Sequence, residues 1–263
     1  TVLYEFGLQQ QLTGVMAFEM SAFYKDIRDL LALQSIRYDS EKYGPSNYSI
    51  YMNKDYGNVK GFTFSLTKRY DRVTKTSAFV DYTYQVTEGN SVKSGSFYYN
   101  ALSGEEEEKR IVPLAWDQRH ILNSTVSVGD PGNWNLGLIN KLSSGWPYTP
   151  NIPDANYVPL SNSGRKPWQW QIDMRLHKNF KVGKFQYILY TKIYNLLDRR
   201  NERYVFNDTG RAGYTYVSQS TQETKGFVDH YGESGVHTWS EYQVRPQYYT
   251  APRSINIGFS LDF

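Results

Sequence analysis

The side chains able to do chemistry are few and dispersed. There is no cysteine, which excludes disulfides, thiolate-ligated metals and thiol nucleophiles. The four histidines are scattered along the chain. Asp229, His230, Glu233 and His237 alone come together at spacings that would suit a metal. They fall in a long polar stretch, where spacing without fixed geometry specifies little, and they read as a hydrated loop. The four consecutive glutamates at 105–108 would attract cations but read as a solvated loop tip. No His-Glu-x-x-His, phosphate-cradling glycine loop or Gly-x-Ser-x-Gly elbow occurs. The expectation is no enzyme, no metal and no cofactor. A net charge of +3 gives no reason to expect nucleic acid as a partner.

What is distinctive is aromatic. The chain carries 24 Tyr, 13 Phe and 6 Trp in 263 residues. Such residues favour strands. They also gather at membrane interfaces, where one end of the side chain is apolar and the other wet. Tyr98, Tyr99, Trp146, Tyr148, Tyr157 and Trp239 fall in stretches that read as loops, and they are the candidate substrate contacts. Trp168 reads instead as part of an interfacial girdle.

The elements that must position these residues are strands. In 168–177, Trp168, Trp170, Ile172, Met174 and Leu176 alternate with Gln169, Gln171, Asp173, Arg175 and His177. In 254–263, Ile255, Ile257, Phe259, Leu261 and Phe263 alternate with Ser254, Asn256, Gly258, Ser260 and Asp262. The same period recurs at 16–24, 62–66 and 78–86, and less cleanly at 2–8, 120–128, 134–142 and 185–195, giving about nine strands. A helical turn is expected only at 27–33. Mean hydropathy is −0.62, and no run approaches the ~18 apolar residues of a membrane helix. Strands that alternate apolar and polar can still cross a bilayer without raising that average.

The connections are expected to alternate in length. Short ones fall near 9–13, 70–74, 129–133 and 180–184; long ones near 28–46, 87–117, 144–167 and 197–249. In an antiparallel array this places all short turns on one side and all long loops on the other. Outer-membrane β-barrels have that sidedness, with short periplasmic turns and long extracellular loops. A soluble β-sandwich also alternates, but it keeps most loops short. Glu19, Lys25, Asp81, Asp173, Arg175, His177, Lys192 and Asp262 share the polar face. Charges do not sit unpaired in a dry core, so they suit a wet or plug-filled lumen.

Several stretches, in order, resemble TonB-dependent outer-membrane receptors. They are Phe23-Tyr24-Lys25-Asp26-Ile27-Arg28-Asp29-Leu30; Asn53 with Gly57 and Gly61; Trp116-Asp117-Gln118-Arg119-His120; and Ser144-Gly145-Trp146-Pro147-Tyr148-Thr149-Pro150. They continue with Gly164-Arg165-Lys166-Pro167 leading to Asp173-Met174-Arg175, then Tyr194-Asn195-Leu196-Leu197-Asp198-Arg199-Arg200-Asn201, and Pro252-Arg253 running to Phe263. The resemblance implies about the last nine strands of a barrel of about 22. Residues 1–263 would then be the C-terminal part of that barrel domain, with the plug and earlier strands lying outside this chain.

It further implies a multi-pass protein of the Gram-negative outer membrane, surrounded by lipid and lipopolysaccharide. An imported substrate of unknown class would bind at the extracellular loops, and the TonB complex would act through the N-terminal region. The barrel-assembly machinery would read Phe259, Leu261 and Phe263 as an added strand. A surface lipoprotein partner is also compatible with the family. The alternatives are a passive porin or secretion barrel, and a soluble β-rich carbohydrate-binding module.

Overall fold

The computed structural model describes residues 1–40, 42, 44–90, 110–151, 159–216 and 244–262. They form an all-β chain. In order the strands are β1 (Val2–Gln11), β2 (Met16–Ser40), β3 (Gly44–Asp71), β4 (Thr76–Gly89), β5 (Val112–Pro113), β6 (His120–Asp130) and β7 (Trp134–Ser143). There follow β8 (Pro147–Tyr148), β9 (Gly164–Arg165), β10 (Gln169–Val182), β11 (Phe185–Tyr194) and β12 (Ser254–Asp262). Nine long strands make one antiparallel meander, β1-β2-β3-β4-β6-β7-β10-β11-β12, with β5 added to β4. All nine expected strands are present. β8 and β9 pair with each other in the connection between β7 and β10.

Register shows why the sequence alternates. Ala78, Val126, Leu138, Met174, Ile193 and Ile255 lie side by side across six strands. One residue along the same strands, Ser77, Ser127, Gly137, Arg175, Lys192 and Asn256 form the matching row on the other face. Cross-strand partners share a face, so one side of the sheet is apolar and the other polar. Among the described residues neither face carries a second layer: strands pack chiefly on their hydrogen-bonded neighbours. Among the described residues only Val86, Val112, Leu114, Val205 and Ala212 are buried apolar side chains. The apolar face is open, with Ile255 56%, Ile257 73% and Phe259 59% exposed. An open apolar surface spanning many strands is far larger than water tolerates on a monomer.

Aromatic rings edge that face at two levels. Phe62, Tyr84 and His120 pack in sequence across β3, β4 and β6, and His120 stacks at 5.5 Å on Trp168, which immediately precedes β10. Twelve residues beyond Trp168 along the chain, Phe180 stacks on Tyr187 at 5.3 Å, and Tyr187 meets Phe259 at 5.5 Å. At ~3.3 Å per residue and a tilt of ~40°, the two levels are roughly 30 Å apart. That separation is close to the thickness of a bilayer core, with Trp168 at one of the two levels. Cations near the second level reach past the apolar band. Lys68 donates to Thr74 at 2.7 Å, and Lys178 donates to Asn133.

The short turns lie at 12–15, 72–75, 131–133 and 183–184. The last holds Gly183 at φ 63°, a conformation glycine adopts without strain. Two expectations fail. Residues 28–46 do not form a long loop, and 27–33 is not a helical turn. β2 and β3 run on as a ribbon, pairing Leu31 with Asn53 through to Ser40 with Gly44. Two register irregularities, between Ile27 and Leu30 and between Leu30 and Leu31, separate ribbon from wall, with Asp29 at φ 61°. Such bulges shift the period-two pattern midway, which hides the continuing strand from alternation.

Candidate functional site

The polar face is built from paired groups. Glu19, Ser65, Asp81, Asn123, Lys141 and Gln171 form one row. Ser65 donates to Asp81 at 2.7 Å, Ser21 and Thr63 share a hydrogen bond of 2.7 Å, and Ser127 donates to Asn135 at 2.9 Å. Lys192 lies over the Tyr190 ring at 5.2 Å. That ring lies across Gly258, where a Cβ would meet it at 2.1 Å. The expected lumen residues on the nine strands therefore share one face.

At the end of this face where the long connections leave, a cleft of about 270 Å³ opens. Asn123, Lys141, Gln169 and Gln171 line it from the strands, and Trp146 lines it from the connection after β7. Trp146 is 41% exposed. Amides, an ammonium and an indole converge there, a set suited to hydrogen bonding and stacking on a polar ligand.

The connections above the cleft are stapled to the wall by buried polar residues. Asp117 is fully buried. Its carboxylate accepts the Thr87 N–H at 2.8 Å, Arg119 Nε at 2.8 Å, and the Arg165 guanidinium, which also reaches the Asp117 carbonyl. One side chain thus ties the end of β4, the start of β6 and β9 together. Burial works against the Arg119 charge, but the hydrogen bond to Asp117 holds its pKa above the usual value. Gly145 permits the same closure: a Cβ there would meet the Lys166 carbonyl at 1.8 Å.

A second staple is Asn195, at φ 54° and buried. It donates to the carbonyls of Arg199 at 3.1 Å and Ala251 at 3.0 Å, and its own N–H donates to Asp173 at 2.9 Å. Asn201 then brackets the Trp170 backbone, accepting its N–H and donating to its carbonyl, both at 2.9 Å. Asp198 accepts the Arg253 N–H at 2.8 Å. Together these residues replace ladder hydrogen bonds where the strands end. Farther out, Glu202 takes a forked pair from Arg211, with Nη2 at 2.7 Å. This bond holds the Arg211 pKa up.

The expected site residues divide. Trp146 faces the cleft. The Tyr148 ring is wedged between Gly164 and Gly210, where added Cβ atoms would meet it at 2.6 and 2.3 Å. Burial, and secondarily Asp208, pushes its hydroxyl up. Burial pushes the nearby Lys166 ammonium down; it donates to the Arg203 carbonyl at 3.1 Å. Phe259 and Leu261 lie on the apolar face. Tyr98, Tyr99, Tyr157, Trp239 and Phe263 lie outside the described residues, as do 105–108 and the group Asp229, His230, Glu233 and His237. Among the described residues no three acidic or histidine side chains are placed to hold a metal.

Sequence reasoning had placed Gln169 and Gln171 on the polar face but not in a cleft. Lys141 and Asn123 come from other strands, and only register brings them together. The Asp117–Arg165 pair joins residues 48 apart, which no local spacing announces.

No family model matches the sequence, and no curated protein does. Among solved structures, the crystal structure of the outer membrane transporter YddB from Escherichia coli is similar, with a TM-score of 0.58 and 14% identity. The match covers 78% of this chain and 29% of that one, so this chain spans under a third of its length. At this identity the likeness is one of fold. The chain has the antiparallel all-β wall of an outer-membrane barrel.

Proposed function

We propose that this chain is the C-terminal part of the wall of a TonB-dependent outer-membrane receptor, which binds a polar substrate at its outer mouth and imports it. The observation that carries the reading is the position of the cleft. It lies on the polar face, at the end where the long connections leave, and Trp146 lines it together with Gln169, Gln171, Lys141 and Asn123. A porin also has a polar lumen. What favours a receptor is a rim braced by Asp117, Asn195 and Asn201 beside an exposed indole. A braced rim holds a site in place for binding, which a simple conduit does not require. The motif resemblance supports active import in particular.

The test uses the full-length protein in cells. Uptake of the substrate that supports growth should fall when the inner-membrane energy source is removed. It should fall again, through weaker binding, in Trp146→Ala. Uptake indifferent to the energy source would favour a passive barrel. Extraction from cells without detergent would favour a soluble module.

A further inference from the structure

Charge is unevenly spread over the polar face. On β7, β10 and β11 the positions of polar parity hold Lys141, Arg175, Lys181 and Lys192 against one carboxylate, Asp173. Asp173 is already engaged: it accepts the Asn195 N–H and the Gln171 side-chain amide, each at 2.9 Å. The acidic positions Glu5, Glu19 and Asp81 lie toward the other side of the sheet, on β1, β2 and β4. Asp262 sits at the end of β12 near the short turns. Among the described residues no carboxylate forms an ion pair with Lys141, Arg175 or Lys192.

Arg175 and Lys192 stand directly opposite each other in the β10–β11 register. Like charges so placed repel, and the wall gains no stability from the pair. On its other side Arg175 faces Gly137. A Cβ there would meet nothing nearer than the Arg175 carbonyl at 3.9 Å, so a gap opens beside the guanidinium. Two cations beside a gap, with no carboxylate between them, suit an oxyanion: the guanidinium can fork onto two oxygens while the ammonium takes a third contact. The depth suits transit. Among the described residues Lys141 is the one charged group lining the lumen cleft, and it pairs with Gln171. Arg175 is four residues deeper on β10, roughly 13 Å along the strand and ~10 Å in depth. It adjoins Met174, midway between the two aromatic levels. That step is about one Debye length at physiological salt, so an anion leaving Lys141 already feels the deeper pair.

We propose that the imported substrate carries an oxyanion, met first by Lys141 in the lumen cleft and then by Arg175 and Lys192 at half depth. The proposal rests on the receptor reading, in which a solute traverses this lumen. The test uses the purified full-length protein in nanodiscs, with any other cysteine replaced and Asn256→Cys placed opposite Lys192. Two methanethiosulfonates probe that thiol, one bearing a sulfonate and one a trimethylammonium. Relative to their rates on a free thiol, the sulfonate reagent should be favoured roughly tenfold at about 0.1 M salt, because the two cations attract it and repel the other. Arg175→Gln together with Lys192→Gln should remove most of that preference, and Lys184→Gln, in a short turn, should leave it. Equal reaction with both reagents would overturn the proposal, since carboxylates elsewhere in the full-length protein would then neutralise the pair.

Succinate and inorganic phosphate, at equal ionic strength, should each slow the sulfonate reagent. Whichever acts at the lower concentration names the oxyanion, and slowing by neither would overturn the proposal. In cells, Lys141→Gln should raise the KM for uptake of the growth-supporting substrate roughly tenfold, and Arg175→Gln should lower the maximal rate. Unaltered uptake in both would overturn the proposal. Uptake that falls in both variants yet ignores the inner-membrane energy source would overturn the receptor reading and uphold the anion path.

Discussion

Replacing Met174 with arginine probes the apolar face where the geometry makes it most sensitive. Met174 is six residues from Trp168 and six from Phe180, midway between the two aromatic levels. Its row, Ala78, Val126, Leu138, Ile193 and Ile255, offers no polar partner. An arginine there lies roughly 15 Å from either interface, beyond easy snorkelling. The expected loss is about 2–4 kcal/mol, the range for a cation on a barrel's lipid face at the midplane. Ile172 is two residues nearer Trp168 and should cost less. At Gln171, on the polar face, arginine should cost under ~1 kcal/mol even though its cross-strand partner Lys141 repels it. The assay is a urea titration of the full-length protein folding into phospholipid vesicles. Equal losses at Met174 and Gln171 would refute the assignment of faces. A larger loss at Gln171 would invert it.

Further outcomes follow from the rim. Asp117→Ala leaves two guanidinium groups and the Thr87 N–H without their buried acceptor, and should destabilise the rim by about 3–5 kcal/mol. Protease nicking in the 144–168 connection should rise while the strands stay protected; unchanged nicking would count against the staple. Tyr148→Phe should keep that connection in place and Tyr148→Ala should release it, read by the same nicking. Because burial raises the Tyr148 pKa, its contribution is full below the ordinary value of 10.0 and is lost as pH climbs through the raised value. Nicking of the wild type, but not of Tyr148→Phe, should therefore increase at strongly alkaline pH. Deleting Phe263 should lower assembly yield in cells more than it weakens the refolded barrel, if Phe259, Leu261 and Phe263 form an assembly signal. A normal insertion rate would leave only a packing role, worth at most ~1.5–3 kcal/mol.

Alternation made most of the wall legible. Trp170, Ile172, Met174 and Leu176 against Gln171, Asp173, Arg175 and His177 can be read from the chain, because a sheet with lipid on one face and water on the other imposes a period of two. The ribbon was hidden for the same reason. Bulges around Asp29 interrupt the period, and the polar residues beyond them look like a loop. Trp168 was legible as a continuation of the apolar face because it keeps the parity of β10. The ring it stacks on, His120, and the Tyr84 that packs behind His120 come from strands whose register the sequence does not state. The lumen cleft was half legible. Trp146 stood out by type, whereas Lys141 and Asn123 are ordinary polar residues until pairing sets them beside Gln171. Tyr148 looked equivalent to Trp146 in sequence. The two glycines that clamp its ring, Gly164 and Gly210, are far from it along the chain.

The central claim is a wall that crosses the outer membrane with its long connections outside. Single cysteines at Asn207, in the connection after β11, and at Val73, 90% exposed in the turn between β3 and β4, test it most directly. These 263 residues hold no cysteine to interfere, and any in the rest of the full-length protein are replaced first. In intact cells expressing the full-length protein, a membrane-impermeant maleimide should label the Asn207 site. It should reach the Val73 site only after the outer membrane is permeabilised. Labelling of both sites in intact cells, or of Val73 alone, would contradict the account.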